Sequence, residues 1–275
     1  TSWGVFTWKR RRFVDLDERL AWVLGLFLAE GTLKHNKVFF HLNPTTKAVT
    51  AAQLQTYLKA IFGDDLSIKL ARPKSSVLQV IVHDGVFAAL VKKLIPGNVY
   101  SKRLPGDILN SPDVMRLAAL RGWLDGDGHF QAGGKKRGVS LRGVTASEGL
   151  ARDMGQLALA CGLRPSVLRR KKASHQRVAS LDVYLNGADA LSVYPERAGQ
   201  VAVAARPKLM EKTPYGFAAV VERIEEQEVV DHPVYCCEVE EEHSLIVSGT
   251  AYHQCVGAGG GTMWMTLACI EAVRL

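Results

Sequence analysis

WVLGLFLAEGTL, residues 22–33, and LRGWLDGDGHF, residues 120–130, are two versions of one pattern. Each is an apolar, helix-like run that ends in an acid before a glycine: Glu30-Gly31 in the first, Asp127-Gly128 in the second. The elements downstream of each run are repeated as well. After Gly31 come a polar turn (Lys34 to Lys37), a strand (38–43), a helix (50–63), two strands (66–73 and 77–85) and a helix (86–95). After Gly128 come a longer turn, a strand (140–147), a helix (148–162), two strands (165–173 and 178–187) and a helix (188–195). Period-two and period-3.6 patterns change over at matching places. A repeat of this length, about 16–105 and 106–195, predicts an α+β pseudo-dimer of two αββαββα units rather than a solenoid.

Gly25 and Ala29 lie four residues apart, as do Gly122 and Gly126, so each pair shares a helix face. Two interior glycines in an apolar helix cost about 1 kcal/mol each relative to alanine. A packing reason is therefore expected: each helix is the close partner of the other. Glu30 and Asp127 stand in the last helical turn, where the helix dipole disfavours a carboxylate. Each precedes a glycine suited to ending the helix. Crossing the two helices would bring both acids together, where they would repel unless a cation sat between them. Oxygen ligands of this kind suit Mg²⁺.

The chain carries a formal net charge of +8, unevenly spread. Residues 222–242 hold nine carboxylates against Arg223, a net of −8, so the remainder carries 8 − (−8) = +16. A basic body of this kind points to a polyanion, nucleic acid first. The five cysteines (Cys161, Cys236, Cys237, Cys255 and Cys269) form no CxxC pair, so neither zinc nor a disulfide framework is indicated, and a cytoplasmic setting is expected. Apolar runs are too short to span a bilayer, so no membrane partner is expected.

LGLFLAEG and LRGWLDGDG resemble the two signature motifs of LAGLIDADG homing endonucleases, and the resemblance extends over residues 16–195. It implies a monomeric enzyme that binds double-stranded DNA at a long asymmetric site and cuts both strands with a divalent cation. By match to the motifs, Glu30 and Asp127 would hold the metal, Mg²⁺. In intein-borne members a lysine stands in a short Lys-x-Ile/Leu-Pro stretch before the second motif. SKRLP matches it here and puts Lys102 in that role. The second-half counterpart is left open between Lys171 and Lys172. Arg169 and Arg170, with Lys135, Lys136 and Arg137, are candidate phosphate contacts, which give affinity without reading sequence.

The chain continues past residue 195. A linker with scattered proline and glycine (195–216) leads into alternating, strand-forming sequence. VYCCEVEEEHSLIVSG (234–249) and TAYHQC (250–255) resemble the C-terminal splicing motifs of inteins, which have a Hint-type β fold. The resemblance implies that Gln254 is the residue that cyclises and that His253 and His243 assist by proton transfer. Cys255 would be the nucleophile that opens the host protein's C-terminal part, residues 255–275. Gln254 replaces the commoner asparagine. Cys236 stands where many inteins carry aspartate, and in one class a cysteine there makes the first attack. Nothing before residue 16 resembles the N-terminal splicing motifs, so residues 1–15 are expected to be a linker from a missing N-terminal splicing segment. Residues 196–254 would then be linker and C-terminal splicing segment. The glycine run after Cys255 lacks the lysine of a phosphate-binding loop. Two other expectations compete: a free-standing endonuclease or RNA maturase of the same fold, and a DNA-binding protein without catalysis. The splicing-like tail counts against the first and retention of both acids against the second.

Overall fold

The computed structural model describes residues 14–133, 138–171 and 178–200, and the backbone of four short strands at 210–213, 216–219, 244–247 and 250–253. The chain divides into two compact units at Arg206/Pro207.

The first unit is the expected duplication. Its first half runs α1 (Glu18–Glu30), β1 (Gly31–Lys34), β2 (Lys37–Leu42), α2 (Ala48–Phe62), β3 (Ile68–Lys74), β4 (Val77–Val82) and α3 (Gly85–Leu94). A short helix not foreseen, α4 (Gly106–Leu109), leads into the second half. That half runs α5 (Asp113–Asp127), β5 (Gly128–Gln131), β6 (Ser140–Thr145), α6 (Glu148–Ala160), β7 (Ser166–Arg169), β8 (Leu181–Asn186) and α7 (Ala188–Val193). A 3-10 turn over Pro195–Gln200 closes it. Each half forms one antiparallel four-stranded sheet, in orders β1-β2-β4-β3 and β5-β6-β8-β7.

Strand alternation assigns the faces. Val38, Phe40, Leu42, Val80 and Val82 of the first sheet, and Leu141, Val183 and Leu185 of the second, are buried in one core with the helices. Their neighbours, such as Lys37, Phe39 and His41, or Arg142 and Tyr184, lie on the opposite, open faces.

α1 and α5 pack on each other more extensively than any other helix pair. The small residues explain how. A Cβ at Gly25 would stand 2.1 Å from the Ala119 carbonyl oxygen, and one at Gly122 would stand 2.1 Å from the Trp22 carbonyl oxygen. Backbone meets backbone at both crossings, as the glycine spacing predicts.

The glycines end these helices, and they do so without a positive φ. Gly31 (φ −86°, ψ 144°) and Gly128 (φ −87°, ψ 148°) are extended, not left-handed. Each helix runs straight into a strand. A side chain at Gly31 would stand 2.1 Å from the Phe27 ring, and one at Gly128 would stand 2.1 Å from the Leu124 carbonyl oxygen. Glycine is required there by close approach rather than by a positive φ.

The second unit contributes two antiparallel hairpins, β9 (Met210–Thr213) with β10 (Gly216–Ala219) and β11 (Ser244–Val247) with β12 (Thr250–His253). β9 falls inside the stretch 195–216, which has scattered proline and glycine. Among the described residues, no helix is long and apolar enough to cross a membrane.

Candidate active site

The abrupt helix-to-strand junctions place Glu30 and Asp127 at the ends of the two helices that the glycines draw together. A Cβ on Gly126 would stand 2.4 Å from the Ala29 Cβ and 3.1 Å from the Glu30 Cγ. The stem of Glu30 therefore lies against the last turn of α5, beside Asp127. Burial pushes the Glu30 carboxyl up to about 7, and the neighbouring Asp127 adds to this. Burial likewise lifts Asp127 to about 6. Two lysines, Lys47 and Lys102, pull both values the other way.

Lys102 is only 7% exposed, so it is not a surface lysine. Its ammonium donates to the carbonyls of Phe27 (2.9 Å), Leu28 (3.2 Å) and Gly31 (2.7 Å) and lies 4.8 Å from the Phe27 ring centroid. It adds a donor to carbonyls at the C-terminus of α1, where that of Phe27 also accepts from the Gly31 amide, and offsets the negative end of the helix dipole. Burial lowers its pKa to about 8, while Asp127 and Glu30 oppose the shift. The Lys102 carbonyl in turn accepts from the hydroxyl of Ser147, the N-cap of α6. Arg103 and the Leu104 amide bind Asp153 on the same helix.

Lys47 does the corresponding work at α5. It occupies the N-cap position of α2 and donates from Nζ to the Asp125 carbonyl. Asp125 corresponds to Leu28 in the repeat. Each of the paired helices thus ends on a lysine held at the start of the second helix of the other half. Sequence reasoning missed Lys47. The available signal was a lysine at an N-cap, where Ser, Thr, Asp or Asn is favoured and a cation is not. Ser147 fills the equivalent position of the second half.

The Asp125 side chain is tied down as well. It accepts from the Trp22 indole (2.8 Å) and the Tyr194 hydroxyl (2.7 Å). Burial, reinforced by Asp125, drives the Tyr194 phenol far up and keeps it a donor. A polar cavity of about 200 Å³ opens beside this network, lined by Thr46, Lys47, Thr50, His129 and Arg197 among others. On the open face of the first sheet, His41 stacks on Phe39 and pairs with Thr32 and Gln79. Its pKa is lowered by burial and then by Lys102 and Lys34.

The remaining expected residues are placed unevenly. Lys171 is exposed beyond the end of β7. Arg169 pairs across the ladder with core-facing Leu181, so it lies on the helical side of its sheet, where it binds Glu148 of α6 at 2.7 Å. Arg170 lies on the open side. His253 is the last residue of β12, paired with Ser244. Lys135, Lys136, Arg137, Lys172, Cys236, His243, Gln254 and Cys255 lie outside the described residues.

A pair of carboxylates suits the donor set of Mg²⁺, which keeps several waters and binds through one or two carboxylates plus phosphate oxygens. Among the described residues, no cluster of three metal-ligating side chains occurs.

A curated relative, an iron–sulfur cluster assembly SufBD family protein of Mycobacterium leprae (strain TN), is 29% identical over 153 residues. The match covers 53% of this chain but only 16% of that protein. Among solved structures, the N-terminal LAGLIDADG domain of DUF199/WhiA is 13% identical with a TM-score of 0.45, covering 72% of this chain and 89% of that one. Mesophilic variants of the homing endonuclease I-DmoI are 13% identical with a TM-score of 0.43, covering 61% and 83%. An I-DmoI variant in complex with its target DNA in the presence of 2 mM Mg is 13% identical with a TM-score of 0.41, covering 61% and 89%. Residues 115–196, which begin in α5 and end just past α7, match the family of LAGLIDADG-like domains.

Proposed function

We propose that residues 16–195 are a site-specific endonuclease that makes metal-dependent double-strand breaks in a long DNA site. The observation that carries this reading is the pair Glu30 and Asp127, brought together by backbone contact of α1 and α5, each helix end neutralised by its own lysine. When bound there, Mg²⁺ supplies polarisation of a phosphodiester and stabilisation of its leaving oxygen. Glu30 and Asp127 would hold the ion, and their raised pKa values mean that both must shed protons to do so. Lys47 and Lys102 hold positive charge beside the reacting phosphates, each fixed by backbone carbonyls before DNA arrives. This is preorganisation of the kind that stabilises developing charge without reorganisation.

The purified chain, offered randomised duplexes with Mg²⁺, should select and cut a long asymmetric sequence. Asp127→Asn and Glu30→Gln should each abolish cleavage and retain DNA binding. Cleavage at the wild-type rate by either variant would sink the shared-metal reading. Metal affinity of the wild-type chain, measured by calorimetry without DNA, should rise as pH increases through the Asp127 and Glu30 values of about 6 and about 7.

We further infer that residues 196–254 include the C-terminal segment of a protein-splicing element inserted in a host protein. Support comes from the sequence around Cys236, His243, His253, Gln254 and Cys255, and from the β11–β12 hairpin, whose closing pair Ser244↔His253 is flanked in sequence by His243 and Gln254. The match to the SufBD family protein fits. A match of 153 residues cannot lie within 255–275, so most of it precedes Cys255, and a short match within a much longer protein is what a shared insertion leaves. A SufBD-type host is the corresponding proposal. Supplied with a matching N-terminal segment, the chain should break between Gln254 and Cys255 and join Cys255 to the upstream host sequence, read by intact mass. Gln254→Ala should stop that release; release unchanged by it would remove the splicing reading and leave the nuclease reading intact.

A further inference from the structure

The open face of the second sheet holds a buried carboxylate that the fold itself does not require. Leu181, Val183 and Leu185 of β8 point into the core, so Asp182 points to the opposite face, where it could have stood in water. Instead it is 1% exposed. What covers it is a set of side chains from the same face. Arg170 donates from Nε to Asp182 Oδ2 at 2.5 Å and from Nη2 to the Tyr184 hydroxyl at 3.1 Å. Tyr184 donates to Asp182 Oδ2 at 2.9 Å. Arg142, cross-strand from Tyr184, brings Nη1 to 3.9 Å of the same oxygen. Asp182 Oδ1 and the Arg142 Nε are buried with no hydrogen-bond partner among the described residues. Burying a carboxylate that keeps one oxygen unsatisfied is costly, and a hydrophobic residue would serve stability at least as well. The arrangement makes sense for what it does to Arg170.

A guanidinium has two forks. The side-on fork of Arg170, Nε and Nη2, is consumed by Asp182 and Tyr184. The end-on fork, the hydrogens of Nη1 and the outer hydrogen of Nη2, has no partner among the described residues, and the side chain is 49% exposed. Arg170 therefore presents a fixed, planar pair of donors outward from the sheet. A mobile arginine suffices to contact a phosphate. A pair of donors locked in orientation matches the O6 and N7 acceptors that guanine shows in the major groove.

Resting on the reading of this unit as a DNA-binding nuclease, we propose that Arg170 is a specificity-determining residue that reads one guanine of the target. Asp182 and Tyr184 are then its positioning residues. This replaces the expectation that Arg170 is a phosphate contact.

The test uses the full chain without divalent metal, bound to its selected duplex and to the set of single base-pair variants of that duplex. Wild type should disfavour every replacement of one G·C pair by roughly 5- to 150-fold. Arg170→Ala should flatten preference at that pair and leave it intact elsewhere. Arg170→Lys should flatten it too, since charge remains but the fork is lost. Tyr184→Phe, which removes one hydroxyl from the surface of the sheet, should weaken the preference part-way, and Asp182→Asn more. If Arg170→Ala instead weakens all duplexes equally and lowers the salt slope of log K by about one, Arg170 is a phosphate contact and the proposal fails. A wild-type chain that binds no DNA overturns the nuclease reading along with it, whereas a selective wild type whose preference ignores Arg170 overturns this proposal alone.

Discussion

At the scale of single residues the site is a balance of opposed charges, and its acids are held where ionisation is unfavourable. An acid raised from its ordinary value keeps its proton in the folded chain at a pH where the unfolded chain has released it. Stability is then lost as pH rises from the unfolded value to the folded one, here from about 4.5 to about 7 for Glu30. In metal-free buffer at pH 8, Glu30→Gln should therefore raise stability, on the order of 2 kcal/mol after allowance for the solvent that still reaches the group. At pH 4 the gain should vanish. Denaturant melts at the two pH values check this; a gain of equal size at both would mean that packing, not charge, is responsible. The two lysines should separate. Lys102→Met removes the ammonium from three carbonyls, of which that of Phe27 keeps the Gly31 amide, and should cost roughly 3 kcal/mol. Lys47→Met removes one contact from a half-buried side chain and should cost less than about 1 kcal/mol, yet slow cleavage severely. The acids and Lys102 were legible in the sequence because short motifs carry them. Lys47 was not, because its partner lies 78 residues away and no local pattern links them. The same holds for Asp125 with Trp22 and Tyr194, which are 103 and 69 residues distant.

At the scale of elements, glycine is the most informative residue type, and its positions are not equivalent. Gly25→Ala or Gly122→Ala drives a methyl into a carbonyl of the facing helix and should cost about 3 kcal/mol or prevent folding. Gly85, the first residue of α3, has open space around its missing Cβ. Gly85→Ala should be neutral or stabilise by about 0.5–1 kcal/mol. The β1–β2 hairpin turns through His35 (φ 47°) and Asn36 (φ 58°), both left-handed. That is the backbone of a two-residue type I′ loop, which favours Asn-Gly. Replacing His35-Asn36 by Asn-Gly should stabilise the chain by roughly 0.5–1 kcal/mol, read by thermal unfolding. Apart from the short α4, element order was legible in the first unit because periodicity is a local property. The extended glycines at 31 and 128 were not. A sequence shows that glycine ends a helix, but whether it does so by twisting or by making room depends on what the next strand packs against.

For the whole molecule, charge and unit boundaries matter most. The basic excess of +16 outside residues 222–242 predicts DNA affinity that falls steeply with salt. A filter-binding series across roughly 50 to 200 mM salt that stays flat would contradict it. The first unit has its own core, so a chain ending at Arg206 should unfold at the same temperature as the first unit does within the full chain. It should bind DNA at least as tightly, because the acidic stretch is gone. The pairing of the two repeats could be foreseen from their spacing; the interlock between them could not, since it is built from long-range contacts.

That interlock, Lys47 reaching α5 while Lys102 is anchored on α6 and reaches α1, limits how the two repeats can be traded. A chimera that takes its second repeat from a relative imports a new α5 whose carbonyls must meet a Lys47 selected for the old one. Inheritance of the reaction centre is thus reciprocal. Neither repeat is a self-contained cassette, and recombination within this lineage should succeed at breakpoints that carry residues 102–104 together with α6, and fail at those that divide them.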